Sequence, residues 1–240
     1  MRELVLAHSS DLHLGWQPRP VSLAGLKGVL DAALEAHANV LVLVGDVFDH
    51  NRVPPALVNR AAALLADRRL PTVILPGNHD PLGRGSVYCW SGLGDVPNLH
   101  VIGLHSDEPV VFPGYDLEIW GRPHRDYRDM APLGQARERA SARYVVLAHG
   151  HWVEGPHDEH RSWLIRAEDI EATGADYVAL GHWDRAVQVG RGRVPAYYSG
   201  SPDVAKSINV VRFGRSCAVE VSRRPLPDLV REDDVHGAQG

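Results

Sequence analysis

Cysteine, long apolar runs and an excess of positive charge are all missing from this sequence, and each absence closes a route to function. Only Cys89 and Cys217 occur. Two thiols so far apart, in no paired spacing, exclude a disulfide framework and a thiolate metal site, and they fit a reducing compartment. Nowhere do ~18 apolar residues follow one another, and the run Leu4 to Ala7 is too short for a secretory signal. A cytoplasmic location with no membrane partner is therefore expected. Lys plus Arg number 25 against 30 Asp plus Glu, a formal net charge of −5. Without a positive field overall, a nucleic-acid partner requires a local basic patch. Arg122, Arg125, Arg128 and Arg137, Arg139, Arg143 cluster, but Asp126, Asp129 and Glu138 interleave with them, which reads as a salt-bridged, solvated face. What the chain does have is histidine: 14 residues, against 3 Phe and 2 Met. Where those histidines fall decides the reading.

At 240 residues, 44% hydrophobic and 23% charged, the chain is globular and long enough for one large domain or two small ones. Five short runs, Leu4 to Ala7, Val40 to Val44, Thr72 to Leu75, Tyr144 to Ala148 and Tyr177 to Leu180, are almost continuous in apolar residues. That is the pattern of strands covered on both faces, hence of a sandwiched α/β core. Ser22 precedes a helical stripe of Leu23, Leu26, Leu30, Ala33, Leu34 and His37 and is placed to cap it. Pro54-Pro55 opens a second stripe through Leu57, Ala61, Leu64 and Leu65, which completes a β-α-β-α-β order. Short strands are expected between Leu99 and Trp120, a helix over Pro132 to Ala142, and four strands after Gly181: Ala186 to Val189, Val194 to Tyr198, Asn209 to Phe213 and Ala218 to Val221, with a turn at Arg191-Gly192. The sequence thus divides into one domain over 1–222 and a tail over 223–240, acidic at Glu232-Asp233-Asp234 and expected to be disordered. No repeat or linker interrupts it.

Ligands of open α/β sheets bind beyond the carboxyl ends of the strands. All five runs end in metal-ligand chemistry: Asp11 and His13; Gly45-Asp46 with Asp49 behind; Gly77-Asn78-His79-Asp80; His149; and Gly181-His182-Trp183-Asp184. Any one of these is an ordinary turn or core histidine taken alone. Five together point to a metal site.

The same motifs, Asp11-Leu12-His13, Gly45-Asp46-Val47-Phe48-Asp49, Gly77-Asn78-His79-Asp80, His149 and Gly181-His182, resemble the successive motifs of calcineurin-like metallophosphoesterases. His8 ahead of Ser9-Ser10-Asp11-Leu12-His13-Leu14-Gly15, Phe48, and Tyr198-Ser199-Gly200-Ser201-Pro202 are similar to the SbcD-type DNA-repair exonuclease branch. The resemblance covers Leu4 to Val221. It implies a four-layer α-β-β-α sandwich, two mixed sheets flanked by helices, with the catalytic domain over 1–222. SbcD-type enzymes continue into a DNA-facing capping domain and a segment that engages a coiled-coil ATPase; this sequence ends before both, so that partner is not expected from it.

Carried over position by position, the resemblance implies one divalent ion held by Asp11, His13, Asp46 and Asp184, and a second held by Asp46, Asn78, His149 and His182. A bridging carboxylate allows two ions to sit roughly 3.5–4 Å apart and to supply a hydroxide for in-line attack on a phosphate ester. Oxygen and nitrogen ligands without sulfur favour manganese, iron or zinc and do not choose among them; manganese is the slight preference. His79 would stabilise the phosphoryl oxygens or protonate the leaving group, with Asp80 orienting its ring. His8 and Asp49 would orient ligands from behind. The family's usual last motif is Gly-His-x-His, and here Asp184 stands where the second His is expected. An ionised Asp184 takes the cluster from about +1 to about zero, which favours a monoanionic diester over a dianionic monoester. Alternatively Asp184 is displaced and His151 stands in. Trp16, Trp152 and Trp183 lie near ligands, either as platforms for a base or ester group or as walls packed on loops. The expected activity is a dinuclear-metal phosphodiesterase on nucleic acid or nucleotides; the alternatives are a phosphomonoesterase of a small molecule or protein, and a degenerate binding module of the same fold.

Overall fold

All five apolar runs are strands, and their period-two alternation divides them between two cores. In Val40–Val44, Val40, Val42 and Val44 face one hydrophobic layer while Leu41 and Leu43 face another. The computed structural model describes residues 2–15, 22–134, 137–214 and 219–227. Within it, β1 (Leu4–Ser9), β2 (Val40–Val44), β3 (Thr72–Leu75) and β4 (Leu99–Val101) run parallel. β13 (Ser207–Phe213) and β14 (Val219–Pro225) extend this sheet antiparallel beyond β1, in the order β14-β13-β1-β2-β3-β4. A second sheet centres on β7 (Arg143–His149) and β10 (Tyr177–Gly181). It is flanked by β6 (Leu117–Gly121) and β5 (Val110–Phe112) on one side, and by β12 (Ala196–Tyr198) and β11 (Val187–Val189) on the other. A two-stranded pair, β8 (His151–Trp152) and β9 (Leu164–Ile165), lies beside it.

Helices α1 (Ala24–Glu35) and α2 (Pro55–Arg68) cover the outer face of the first sheet through Leu26, Val29, Leu30, Leu57, Val58 and Leu65. Between the sheets lie Leu6, Val42, Val73, Leu147, Tyr177 and Phe213. The outer face of the second sheet packs under the short helix α4 (Ala167–Ala172) through Val146, Val178 and Ile170. One-turn helices α3 (Val87–Trp90) and α5 (Pro202–Ala205) sit in connecting loops. The result is the α-β-β-α sandwich of two mixed sheets that the motifs implied.

Four local expectations change. Ser22 accepts from the Ala24 N–H at 3.3 Å, but the cap position of α1 is Leu23, with no side-chain cap. The described residues of 132–142 form no helix: Gly134 adopts φ +63°, and Arg137 and Arg139 are drawn out to Glu108 and Asp176. Arg143, expected on a solvated face, is fully buried in β7, donating to the carbonyls of Tyr115 (2.9 Å) and Arg2 (2.6 Å). Strand β14 continues through Pro225, so 223–225 belong to the sheet and not to a tail.

His8 pins the two sheets together. From β1 its Nε2–H donates across to the Leu180 carbonyl at 3.2 Å, and Nδ1 accepts from the Tyr177 hydroxyl at 2.9 Å. The ring touches no metal-ligand candidate, so the orienting role expected for it gives way to an inter-sheet one. Burial pushes its pKa from 6.5 down to about 3, against a smaller upward pull from the Leu180 carbonyl. The unfolded chain therefore takes up a proton at His8 below about pH 6.5 that the native ring refuses until about pH 3. Its contribution to stability is complete above 6.5 and falls by about 1.4 kcal/mol per pH unit between those values. Chemical denaturation from pH 7 to 4 should show a shallower loss of stability for His8→Gln than for the parent chain; parallel curves would remove His8 as the cause.

Candidate metal centre

Each strand that carries a motif ends at the same seam, and the glycines in those motifs are what let the two sheets close there. A Cβ on Gly45, which has φ +79°, would fall inside the His149 ring, and one on Gly181 would fall on the Val44 carbonyl. The loop after β1 is laced to the loop after β2 by Asp11 N–H to Gly45 O (3.1 Å), His13 N–H to Asp46 O (3.0 Å) and Leu14 N–H to Val47 O (2.9 Å). Asp11, His13, Asp46 and His182 hold positive φ values of 54°, 45°, 51° and 104°, conformations that only surrounding contacts can maintain in residues with a Cβ.

Two groups of donor atoms form at the seam, each with its atoms within 4.8 Å of one another: His13, Asp46 and His79, and Asp46, His149 and His182. Asp46 belongs to both. It is 2% exposed; Oδ1 accepts from the His79 N–H at 2.9 Å, and Oδ2 lies 3.1 Å from His149 Nε2. Asn78 Oδ1 lies 3.0 Å from His149 Nε2 and 3.1 Å from His182 Nδ1. His149 Nδ1 donates to the Val44 carbonyl, so a neutral His149 turns a bare lone pair on Nε2 toward the oxygens of Asp46 and Asn78. Acceptors converging in this way require a proton or a cation between them. On the other side, the Asp49 carboxylate accepts from His13 Nδ1 (3.2 Å) and its carbonyl from His79 Nδ1 (2.9 Å), which leaves Nε2 as the open nitrogen of both rings. Buried carboxylate, amide oxygen and imidazole with open nitrogens fit divalent ions of the manganese, iron and zinc class.

The electrostatics carry the same demand. Burial would raise the Asp46 carboxyl and lower the His149 ring, but their mutual attraction wins on both sides, depressing Asp46 and lifting His149. Asp11, 4% exposed, is pushed up to about 6, chiefly by burial and further by the Asp46 charge. His182 is held down at about 3 by burial and by His149.

The model of the calcineurin-like phosphoesterase family matches residues 4–186. The chain belongs to that family. Among relatives, it is 28% identical to a subunit of the nuclease SbcCD of Bacillus subtilis over 89% of this chain and 65% of that protein. It is 26% identical to the DNA double-strand break repair protein Mre11 of Saccharolobus solfataricus over 93% of this chain and 62% of that one. The chain thus spans under two thirds of the length of these curated relatives. The solved structure of TT1561 from Thermus thermophilus shares the fold, with a TM-score of 0.60 at 13% identity, covering 92% of this chain and 99% of its own.

Of the residues expected in this phosphoesterase site, the seam brings together His13, Asp46, Asn78, His79, His149 and His182, with Asp49 behind them. Asp11 belongs to neither donor group; both its carboxylate oxygens accept from the His182 N–H, at 3.1 and 3.0 Å. Asp184 is exposed on the wall of an adjoining cavity and belongs to neither group either. His151 belongs to neither donor group: Nδ1 accepts from Trp183 Nε1–H at 3.1 Å, so Nε2 carries the hydrogen and faces Asp158 at 3.4 Å. Trp183 stacks on Tyr198, centroids 4.7 Å apart, and lines the cavity beside His182, whereas Trp152 packs into the outer core of the second sheet. Trp16 lies outside the described residues. Two residues had no spacing signal to reveal them. His124 donates from Nε2 to the His149 carbonyl at 2.8 Å, and Trp163 packs edge-to-face on both His124 and His182.

Asp80 does not orient His79. It is a buried clasp that accepts from Gly77 N–H (2.7 Å), Phe48 N–H (3.0 Å) and the Tyr88 hydroxyl (2.6 Å), fixing the loop after β3 against the loop after β2. Asp80→Ala strands three donors and should lower unfolding stability by about 2–4 kcal/mol, with Tyr88→Phe costing about 1 kcal/mol, both read by urea denaturation. An Asp80→Ala protein of unchanged stability would restore a purely catalytic role.

Proposed function

We propose that this chain is a divalent-metal-dependent phosphodiesterase acting on nucleotide or nucleic-acid substrates. The observation that carries the proposal is the buried Asp46 carboxylate shared by two groups of ligand atoms, an arrangement suited to two ions side by side. Asp46, His149, His182 and Asn78 would hold one ion; His13 and Asp46, with Asp11 behind them, would hold the other. Such ions, when bound, acidify water and draw charge from phosphoryl oxygens. Asp49 keeps hydrogen on Nδ1 of His13 and His79 and so decides which nitrogen each ring presents. His79 is half-exposed, and with its Nδ1 tied to the Asp49 carbonyl its Nε2 is left open. In its protonated form Nε2–H is the donor for the departing alkoxide oxygen, with the Asp49 carboxylate 3.7 Å from Nδ1.

Diester chemistry is supported by the names of the relatives, a nuclease subunit and a DNA break repair protein, and by space. A cavity of about 580 Å³ opens beside His182, large enough for a second organic group on the phosphate. The charge of Asp184 lends no support, because that carboxylate does not join the ligand groups. Among the described residues no helix is long and apolar enough to cross a membrane.

His79→Ala should keep the fold and the metal content while turnover falls about 10²–10⁴-fold, as for loss of a positioned acid. Elemental analysis beside steady-state rates checks this, and metal loss in step with activity would make His79 a ligand instead. With manganese supplied, kcat/KM should be higher for bis(4-nitrophenyl) phosphate than for 4-nitrophenyl phosphate; the reverse order would favour the phosphomonoesterase.

A further inference from the structure

The cavity beside His182 has a built wall. Trp183, the residue after His182, lies flat on Tyr198 with ring centroids 4.7 Å apart and planes 11° from parallel. Its indole N–H is spent on His151. The Arg185 guanidinium rests over this immobilised indole at 4.8 Å, where the π face attracts it and orders a side chain that would otherwise sample many rotamers. Its nearest carboxylate is Glu154 Oε1 at 3.6 Å, beyond hydrogen-bond range. The side chain is 66% exposed, so its donors remain open to a ligand. Arg161 reaches the same cavity, 3.7 Å from a carboxylate oxygen of Asp158. Asp158 is itself already engaged by the N–H groups of Glu154 and Gly155. One end of the cavity is thus a ligand of the proposed metal centre, and its wall presents two arginines.

We propose that Arg185, held on Trp183 and assisted by Arg161, binds a second, non-reacting phosphate of the substrate, so that the cavity selects phosphodiesters flanked by another phosphate. The inference rests on the phosphodiesterase reading and deepens it. A planar guanidinium offers paired donors to phosphate oxygens, which a lysine cannot reproduce. Glu154 and Asp184 on the same wall oppose indiscriminate capture of anions. They restrict binding to a phosphate delivered to the guanidinium by the rest of the substrate. The basic patch that the overall charge of the chain denies is here reduced to two residues placed beside the reacting centre.

The test compares two aryl diesters that differ in one phosphate: thymidine 5′-(4-nitrophenyl phosphate) and the same compound carrying a 3′-phosphate. The parent protein, loaded with manganese, should prefer the doubly phosphorylated ester, and Arg185→Ala should reduce that preference about tenfold. Arg185→Lys should retain only part of it. An unchanged preference ratio in Arg185→Ala overturns the subsite. Binding of thymidine 3′,5′-bisphosphate against thymidine 5′-phosphate, followed by calorimetry, gives the same comparison without turnover. If neither ester is hydrolysed but the bisphosphate still binds more tightly in an Arg185-dependent way, the subsite stands and the phosphodiesterase reading falls. Equal affinity for the two nucleotides in the parent protein overturns the subsite whatever the rates.

Discussion

Asp46 places a carboxylate where two sheets meet, 2% exposed, and an isolated charge in such a position is too costly to persist. Its neighbours answer that cost. The His79 N–H is aimed at one oxygen and the His149 ring at the other. Asp11 lies close enough that the Asp46 charge raises its affinity for a proton or a cation. A site with this balance is underfilled by protein alone: His149 has one nitrogen tied to the Val44 carbonyl and the other facing oxygen atoms. The same electrostatic shortage that makes the cluster costly as bare protein suits it to divalent ions.

Much of the fold serves to hold that seam closed. Asp11, His13, Asp46 and His182 adopt left-handed backbone conformations, each costing on the order of 1–3 kcal/mol for a residue with a side chain. Backbone hydrogen bonds from Asp11 and His13 to the Gly45 and Asp46 carbonyls, and from the His182 N–H to the Asp11 carboxylate, offset this strain. Behind them, Asp80 ties the β2 and β3 loops together, while His8 joins β1 to the second sheet through Tyr177 and Leu180. These two polar residues look like site chemistry in the sequence and act instead as fasteners. An acceptor-rich carboxylate and a ring with two nitrogens suit either task, and only their partners distinguish them.

The core strands were legible because burial on both faces leaves a run such as Val40 to Val44 almost no room for polar residues. The ligand positions were legible for a related reason: polar groups directly after such strands sit at a fixed edge of the sheet, and glycine appears where the sheets approach. The sequence of 132–142 suits a helix locally, with its apolar and basic residues, whereas in the described residues of that segment Arg137 and Arg139 find partners in Glu108 and Asp176, 29 and 37 residues away. Distant pairing of this kind leaves no periodicity behind.

By itself the sequence determined a sandwiched α/β core through local burial, and, through strand-end motifs that resemble a known family, the two mixed sheets and most of the residues at the seam. Tertiary structure alone decided that Asp49, and not Asp80, holds the His79 ring, that Asp184 and His151 face a neighbouring cavity, and that Trp183 carries Arg185 there. Which partner a side chain meets depends on how loops far apart in the chain come together. Spacing along the chain records the chemistry of a residue, but the direction of its hydrogen bonds is set only when the two sheets close.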